Sequence, residues 1–126
     1  MKGKIPGNQI NISENNRIKV VWDIDYIISE MKGAKTKVLS VDKLYNEEDQ
    51  VDKSYAMQTD LSSPIIVAKL NEKEYEIVDG KHRLYKAKMI GRKEINGYSI
   101  EPDNLSKYIM GDKETIRRYL GLKKEN

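Results

Sequence analysis

The residues with the clearest chemical potential form one short run, Asp79-Gly80-Lys81-His82-Arg83. The run follows an apolar stretch and precedes apolar residues at helical spacing, so it predicts a strand, a glycine turn and the start of a helix. The first turn of a helix exposes unpaired N–H groups and the positive end of the helix dipole, which together attract anions. Gly80 permits close approach of the backbone, while the next three side chains offer a point charge, a titratable donor and a planar fork. The run therefore predicts a phosphate-binding turn from Gly80 to Arg83.

Asp79 is the unusual member of this run, because a carboxylate repels a phosphate unless something intervenes. A divalent cation between the two groups removes the repulsion, and Asp79 is then a ligand of that cation. Alternatively, Asp79 only caps the helix, and the turn is an ordinary Asp-Gly turn whose basic side chains point into water. The pattern of these five residues leaves both interpretations open.

The composition excludes several classes of protein. The 126 residues contain no cysteine and a single histidine, which rules out disulfides, thiol catalysis, iron–sulfur clusters and histidine-rich metal sites. No window of the sequence approaches the ~20 apolar residues of a membrane span. The basic first residues are not followed by the apolar stretch of a signal peptide. We therefore expect a cytoplasmic protein without a membrane partner.

Charge is segregated along a chain whose net charge is only +3. Residues 42–60 contain six acids and two bases, whereas residues 81–93 contain six bases and no acid. The basic segment is interpreted in three ways: as a solvated helix face, as a phosphate site, or as a non-enzymatic basic module that docks on DNA or on an acidic protein.

The remaining pattern predicts an N-terminal hairpin, a series of further strands and helices, and two C-terminal helices. We divide the single domain into an extension over residues 1–36, a core over 37–101 and a helical extension over 102–126. The predicted elements are two strands around Ile12 and Val20, a helix from Asp23 to Gly33, strands at 37–41, 65–68, 75–78 and 95–100, helices at 51–59 and 82–90, a helix from Pro102 that includes Ile109, and a last helix capped by Asp112 and ended by Gly121.

A longer stretch of the sequence helps to choose between these interpretations of the Gly80 to Arg83 turn. Pro64-Ile65-Ile66-Val67, the segment from Tyr75 to Arg83, and then Ala87, Gly91 and Ile95 resemble the core of the ParB/sulfiredoxin superfamily over about residues 37 to 100. ParB N-terminal domains have a Pro-Ile-Val strand, a Gly-Glu-Arg-Arg turn and a helix followed by a glycine. The resemblance implies a small α+β fold with a mixed β-sheet and helices, in which the Gly80 to Arg83 turn binds the phosphates of a nucleoside triphosphate or diphosphate with Mg²⁺.

The departures from the superfamily patterns are informative. Sulfiredoxins carry their catalytic cysteine where this chain has Lys81, so sulfinic acid reduction is excluded. Lys81 also replaces the glutamate of the ParB turn, which argues against CTP switching. Only 26 residues follow Ile100, so we do not expect this chain alone to bind a centromere sequence.

The free-serine kinases of the superfamily have an Asp-Gly-His-His-Arg-like turn and an acidic pair upstream. This chain has Asp79, Gly80, His82 and Arg83 at the turn and Glu47-Glu48 upstream. The resemblance implies three catalytic residues, which are Glu48 as the general base, Asp79 as a Mg²⁺ ligand, and His82. The alternative is that Glu48 belongs to a solvated acidic loop.

We therefore expect a stand-alone ParB-like domain that binds nucleotide at the Asp79 to Arg83 turn. It would work in association with DNA, as a nuclease-like protein or as an NTP-dependent adaptor, and as a monomer or a homodimer. The alternatives are a small-molecule kinase of the same superfamily and the basic interaction module.

Overall fold

A computed structural model of the chain describes residues 10–15 and 18–124. The strands are β1 (Ile10–Asn15), β2 (Ile18–Asp23), β3 (Lys37–Ser40), β4 (Ile65–Lys69), β5 (Tyr75–Asp79), β6 (Glu94–Ile100) and β7 (Ile109–Met110). The α-helices are α1 (Ile24–Met31), α2 (Val41–Leu44), α3 (Lys53–Met57), α4 (Lys81–Met89) and α5 (Lys113–Lys124). A 3₁₀ helix covers Pro102–Tyr108.

The strands form two sheets. β1, β2 and β7 make an antiparallel sheet, and the second sheet has the order β3-β6-β4-β5. In the second sheet β4 runs parallel to β6 and antiparallel to β5, which confirms the predicted mixed sheet and the α+β class. β5 lies at the edge of this sheet, and α4 starts directly beyond its end.

Strand β4 is the centre of the hydrophobic core. Ile66 and Ala68 pack into one apolar cluster with Trp22 and Tyr119, while Ile65 and Val67 pack into a second cluster beneath α4. A strand buried on both faces has a continuous apolar sequence rather than an alternating one, as Ile65-Ile66-Val67-Ala68 does. The buried β4 gives the turn after β5 a rigid support.

The two ends of the described chain pack together. β2 pairs with β7, where Trp22 lies opposite Ile109, and α5 packs on β2. The hydroxyl of the fully buried Tyr119 on α5 donates a hydrogen bond to Glu76 Oε1 on β5. The C-terminal helix thus contacts the strand that leads into the candidate site.

Most predicted elements are confirmed, with three corrections. The helix expected from Pro102 is a 3₁₀ helix, because Leu105 and Tyr108 are buried at a spacing of three residues, and Ile109 belongs to β7. Gly121 lies inside α5, since it does not adopt the positive φ with which a glycine ends a helix. The strand expected at 37–41 ends at Ser40, whose side chain caps the short helix α2. The turn of the N-terminal hairpin, residues 16 and 17, lies outside the described residues.

None of the helices in the described ranges combines the length and the apolar character needed to cross a bilayer.

The acidic side chain of Asp42 connects helix α2 to the end of helix α4. Asp42 Oδ1 accepts a hydrogen bond from Lys88 Nζ at 2.9 Å, and Asp42 Oδ2 lies 3.7 Å from Lys93 Nζ. The hydrogen bond and charge of Lys88, with a further contribution from Lys93, hold the pKa of Asp42 below its ordinary value of 3.8. A lowered pKa in the folded state contributes stability above the unfolded-state pKa, and this contribution is lost as the pH falls through the folded-state pKa.

We expect Asp42→Asn to lower Tm at neutral pH and to flatten the fall of Tm when the pH is reduced from about 5 to about 2. Thermal unfolding followed by circular dichroism across this range measures both effects. Asp103→Asn, at an exposed aspartate of the 3₁₀ helix, is the control. An equal flattening in the control variant would contradict the assignment to Asp42.

Candidate functional site

The predicted turn connects the edge strand β5 to helix α4, and its geometry depends on one glycine. Gly80 has φ +112° and ψ +18°, a backbone conformation that side chains disfavour. A Cβ at Gly80 would lie 2.4 Å from Cγ2 of Ile65 and 3.1 Å from Nη2 of Arg83. Packing of the turn against β4 therefore requires the glycine, whereas the sequence had suggested that the ligand would occupy this space.

Helix α4 begins without a side-chain cap. Gly80 occupies the N-cap position and no side chain caps the helix, so the expectation that Asp79 caps it is wrong. The first helical hydrogen bond runs from Leu84 N–H to Gly80 O at 2.9 Å. The N–H groups of residues 81–83 precede that bond and are not used by a capping side chain, which leaves them for an anion.

Arg83 connects the start of α4 to the end of β5 and to the residue before β4. Its Nη2 donates to Pro64 O at 3.2 Å, just before β4, and lies 3.4 Å from Asp79 Oδ2. The ion pair offsets the charge of Asp79, which lowers its repulsion of a phosphate. Nε of Arg83 is buried and has no hydrogen-bond partner among the described residues. Arg83 is thus both a structural residue and a donor with unused capacity.

His82 has a different environment from the one predicted. Its Nε2 accepts a hydrogen bond from the backbone N–H of Asp52 at 3.2 Å, and its ring lies edge-on to Tyr55 with centroids 5.0 Å apart. A nitrogen that accepts carries no proton, so only Nδ1 of His82 can donate to a ligand in this arrangement. His82 thereby positions the start of α3 next to the turn.

Helix α3 and the loop before it form the opposite wall of a groove of about 540 Å³. The wall is held to α4 by the His82 contacts and by a hydrogen bond of 2.6 Å from Lys86 Nζ to Thr59 O. One end of the groove is polar, where β5 leads into α4 and the whole predicted turn lies, and Tyr75 lies at the opposite end of β5. The lining residues are Ile12, Leu44, Asn46, Asp49, Tyr55, Thr59, Tyr75, Glu76, Ile77, Asp79, Gly80, Lys81, His82 and Arg83.

Glu48, the predicted general base, does not line this groove. It lines a second groove of about 700 Å³ on the other side of Lys81, together with Glu47, Tyr45 and Tyr85. The loop that presents Glu48 is shaped by a hydrogen bond of 2.9 Å from its N–H to Asn46 Oδ1. The two grooves meet at three shared residues, which are Asn46, Asp49 and Lys81.

Four of the six basic side chains in the segment 81–93 have partners in the described part of the chain. Arg83 contacts Pro64 and Asp79, Lys86 binds Thr59, and Lys88 and Lys93 pair with Asp42. Lys81, an exposed residue, has no such ion pair and lies where the two grooves meet. The basic segment therefore contributes to internal packing as much as to a surface charge, which weakens its interpretation as a docking face.

A metal ion at Asp79 would need additional ligands. Within residues 10–15 and 18–124 there is no cluster of three or more acidic or histidine side chains that could hold a metal ion. One carboxylate is compatible with Mg²⁺ only when phosphate oxygens and water supply the other ligands. The site thus fits Mg²⁺ that arrives with a nucleotide.

Sequence reasoning missed the apolar and aromatic residues that line the groove. Alternation along β5 places Tyr75 and Ile77 on one face, and this signal was present in the sequence. The contributions of Ile12 and Tyr55 were not detectable, because these residues come from distant segments that only the tertiary structure brings together.

Comparison with protein families identifies the fold. A family model of the ParB N-terminal domain matches residues 9–116, which is most of the chain. The chain belongs to this family. The match confirms the resemblance of this ParB N-terminal domain to the ParB/sulfiredoxin superfamily. It extends beyond residues 37 to 100 at both ends. ParB domains generally associate with DNA. No curated protein and no solved structure matches the chain.

Proposed function

We propose that this ParB N-terminal domain binds a nucleotide through its phosphates at the Gly80 to Arg83 turn and works as a nucleotide-dependent adaptor associated with DNA. The observation that carries the proposal is the uncapped N-terminus of α4 at the polar end of a groove. Backbone N–H groups at such a position bind phosphate oxygens without a dedicated side chain.

The surrounding charges support an anionic ligand. Exposed Lys81 lines the groove, and so does Arg83, whose buried Nε has no hydrogen-bond partner among the described residues. The carboxylate of Asp79 is partly neutralised by Arg83. With Mg²⁺ bound to the nucleotide, Asp79 would serve as a metal ligand and the metal would neutralise phosphate charge.

Thermal-shift measurements with ATP, ADP, CTP and GTP, each with and without Mg²⁺, test this proposal. A ligand at 100 times its Kd adds ~2.7 kcal/mol to the free energy of unfolding. Calorimetric titration of the best ligand then gives its affinity for variants. Because a hydrogen bond to a charged group contributes about 1.5–3 kcal/mol, Lys81→Ala is expected to weaken binding by about ten- to one-hundred-fold.

Arg92→Ala is the matched control, since Arg92 is an exposed base just beyond the same helix and lines neither groove. It should leave the affinity unchanged. The proposal fails when no nucleotide raises Tm, or when Arg92→Ala and Lys81→Ala reduce the affinity equally, because the binding is then a general effect of positive charge.

The meeting of the two grooves supports a second candidate function, phosphoryl transfer to a small hydroxylated molecule. A nucleotide in the first groove and an acceptor in the second would face each other across Lys81, with Glu48 on the acceptor side. In that reaction Glu48 removes the proton of the acceptor hydroxyl, its oxygen attacks the terminal phosphorus, and a nucleoside diphosphate leaves. Release of that diphosphate in the presence of acceptor distinguishes the kinase from the adaptor.

A further inference from the structure

We propose that Tyr75 is the platform on which the base of the bound nucleotide stacks. This inference rests on the proposed function and assigns the opposite end of the same groove. It makes the groove a site with two chemically distinct ends, one for phosphates at the start of α4 and one for a planar ring at the start of β5.

The strand itself aligns the two ends. Tyr75, Ile77 and Asp79 all line the groove; Tyr75 and Ile77 share one face of β5, and a β-bulge at Val78 separates them from Asp79. At a rise of roughly 3.3 Å per residue, the Cα atoms of Tyr75 and Asp79 are about 13 Å apart. β5 is the edge strand of its sheet, so no further strand of that sheet lies beside the row of these three residues. An elongated ligand with its phosphates beside Gly80 would therefore extend along the row toward Tyr75.

The Tyr75 ring is not used by the fold. The side chain is 40% exposed and has no hydrogen bond or ring contact with any described residue. By contrast, Tyr119 is fully buried and bonded to Glu76, and Tyr45 packs against Tyr85 with ring centroids 6.5 Å apart. Tyr75 therefore offers a free aromatic face at the groove.

Other apolar residues line the same groove as Tyr75. Ile12, which is 60% exposed, and Ile77 line the same groove. Single exposed apolar residues are common on protein surfaces, but a group of them in line with an anion site indicates a ligand that is apolar at one end. A nucleotide has this character, since its base stacks on aromatic rings while its phosphates bind N–H groups and cations. Tyr55 is a poorer platform, because its ring already packs edge-on against His82 at the phosphate end.

The test compares a nucleotide with a probe that lacks the base. Calorimetry measures the affinity of the tightest nucleoside triphosphate and of inorganic triphosphate for the wild-type chain and for Tyr75→Ala, Tyr75→Leu and Tyr75→Phe. Because stacking of a base on an aromatic ring contributes to the binding free energy, Tyr75→Ala should weaken nucleotide binding by about 5- to 100-fold. Binding of inorganic triphosphate should be unchanged. Tyr75→Phe should retain the nucleotide affinity, and Tyr75→Leu, which keeps apolar bulk at the strand, should lose it.

Tyr85→Ala is the matched control, because this tyrosine lines the second groove and not the first. It should affect neither ligand. The inference is overturned when inorganic triphosphate binds as tightly as the nucleotide, or when Tyr75→Ala weakens both ligands equally; in either case the phosphate site itself stands. When neither ligand binds the wild-type chain, the proposed function is overturned together with the inference.

Discussion

Replacing Gly80 by alanine is expected to lower the free energy of unfolding by about 3 kcal/mol, because two costs combine. A residue with a side chain is strained at φ +112°, and the new Cβ would lie 2.4 Å from Cγ2 of the buried Ile65. Neither atom can move freely, since Ile65 belongs to the central strand β4. Urea unfolding of the variant and the wild-type chain measures the loss, and Gly80→Val should be more severe because valine adds bulk.

Gly91→Ala separates the two costs. Gly91 also has a positive φ, +82°, but a Cβ there would meet no atom within 4 Å. We expect this variant to lose only the ~1–2 kcal/mol that the left-handed backbone costs a residue with a side chain. Equal losses in both variants would show that the turn does not pack tightly on β4, and the described geometry of the phosphate end would then be wrong.

The second large effect concerns the phosphoryl-transfer candidate. Glu48→Gln is expected to lower the rate of phosphoryl transfer by about 10²–10⁴, because an amide cannot accept the proton of the acceptor hydroxyl. Nucleotide affinity should be unchanged, since Glu48 lines only the second groove. Steady-state kinetics with nucleotide and a panel of small alcohols and hydroxy amino acids measures turnover.

Two further variants define the role of the acidic loop. Glu47→Gln, at the neighbouring residue of the same groove, controls for a general loss of negative charge and should retain most of the activity. Asp49 lines both grooves, so Asp49→Asn reports on the junction between them. Full turnover in Glu48→Gln with loss in Asp49→Asn would move the general base to Asp49, and no turnover in the wild-type chain leaves the adaptor as the function.

The sequence predicted those parts of the fold that depend on local pattern. The apolar run of β4, the alternation in β2 and the cap at Asp23 are each visible within a few residues, and the structure has them in place. Errors arose where tertiary contacts override local preference. Ile109 continues an apparent helical pattern, but it pairs with Trp22 as part of β7.

The candidate site shows the same difference between what local pattern predicts and what tertiary contacts determine. The strand, glycine and helix from Tyr75 to Met89 were predictable, because the period of the apolar residues changes at Gly80. The partners of the site residues were not, since His82 binds Asp52 thirty residues away and Arg83 binds Pro64 nineteen residues away. Sequence spacing gives residue types for a site, whereas such long-range contacts determine which atoms remain for a ligand.

The most direct test of phosphate binding at the turn is an amide spectrum recorded by NMR during titration with the best nucleotide and Mg²⁺. Binding of phosphates to the uncapped start of α4 predicts that the largest shifts occur at the N–H groups of Lys81, His82 and Arg83, with smaller shifts along β5. The same amides should shift with inorganic triphosphate. Shifts confined to α5 and the 3₁₀ helix, or a spectrum unchanged at millimolar nucleotide, would contradict the account.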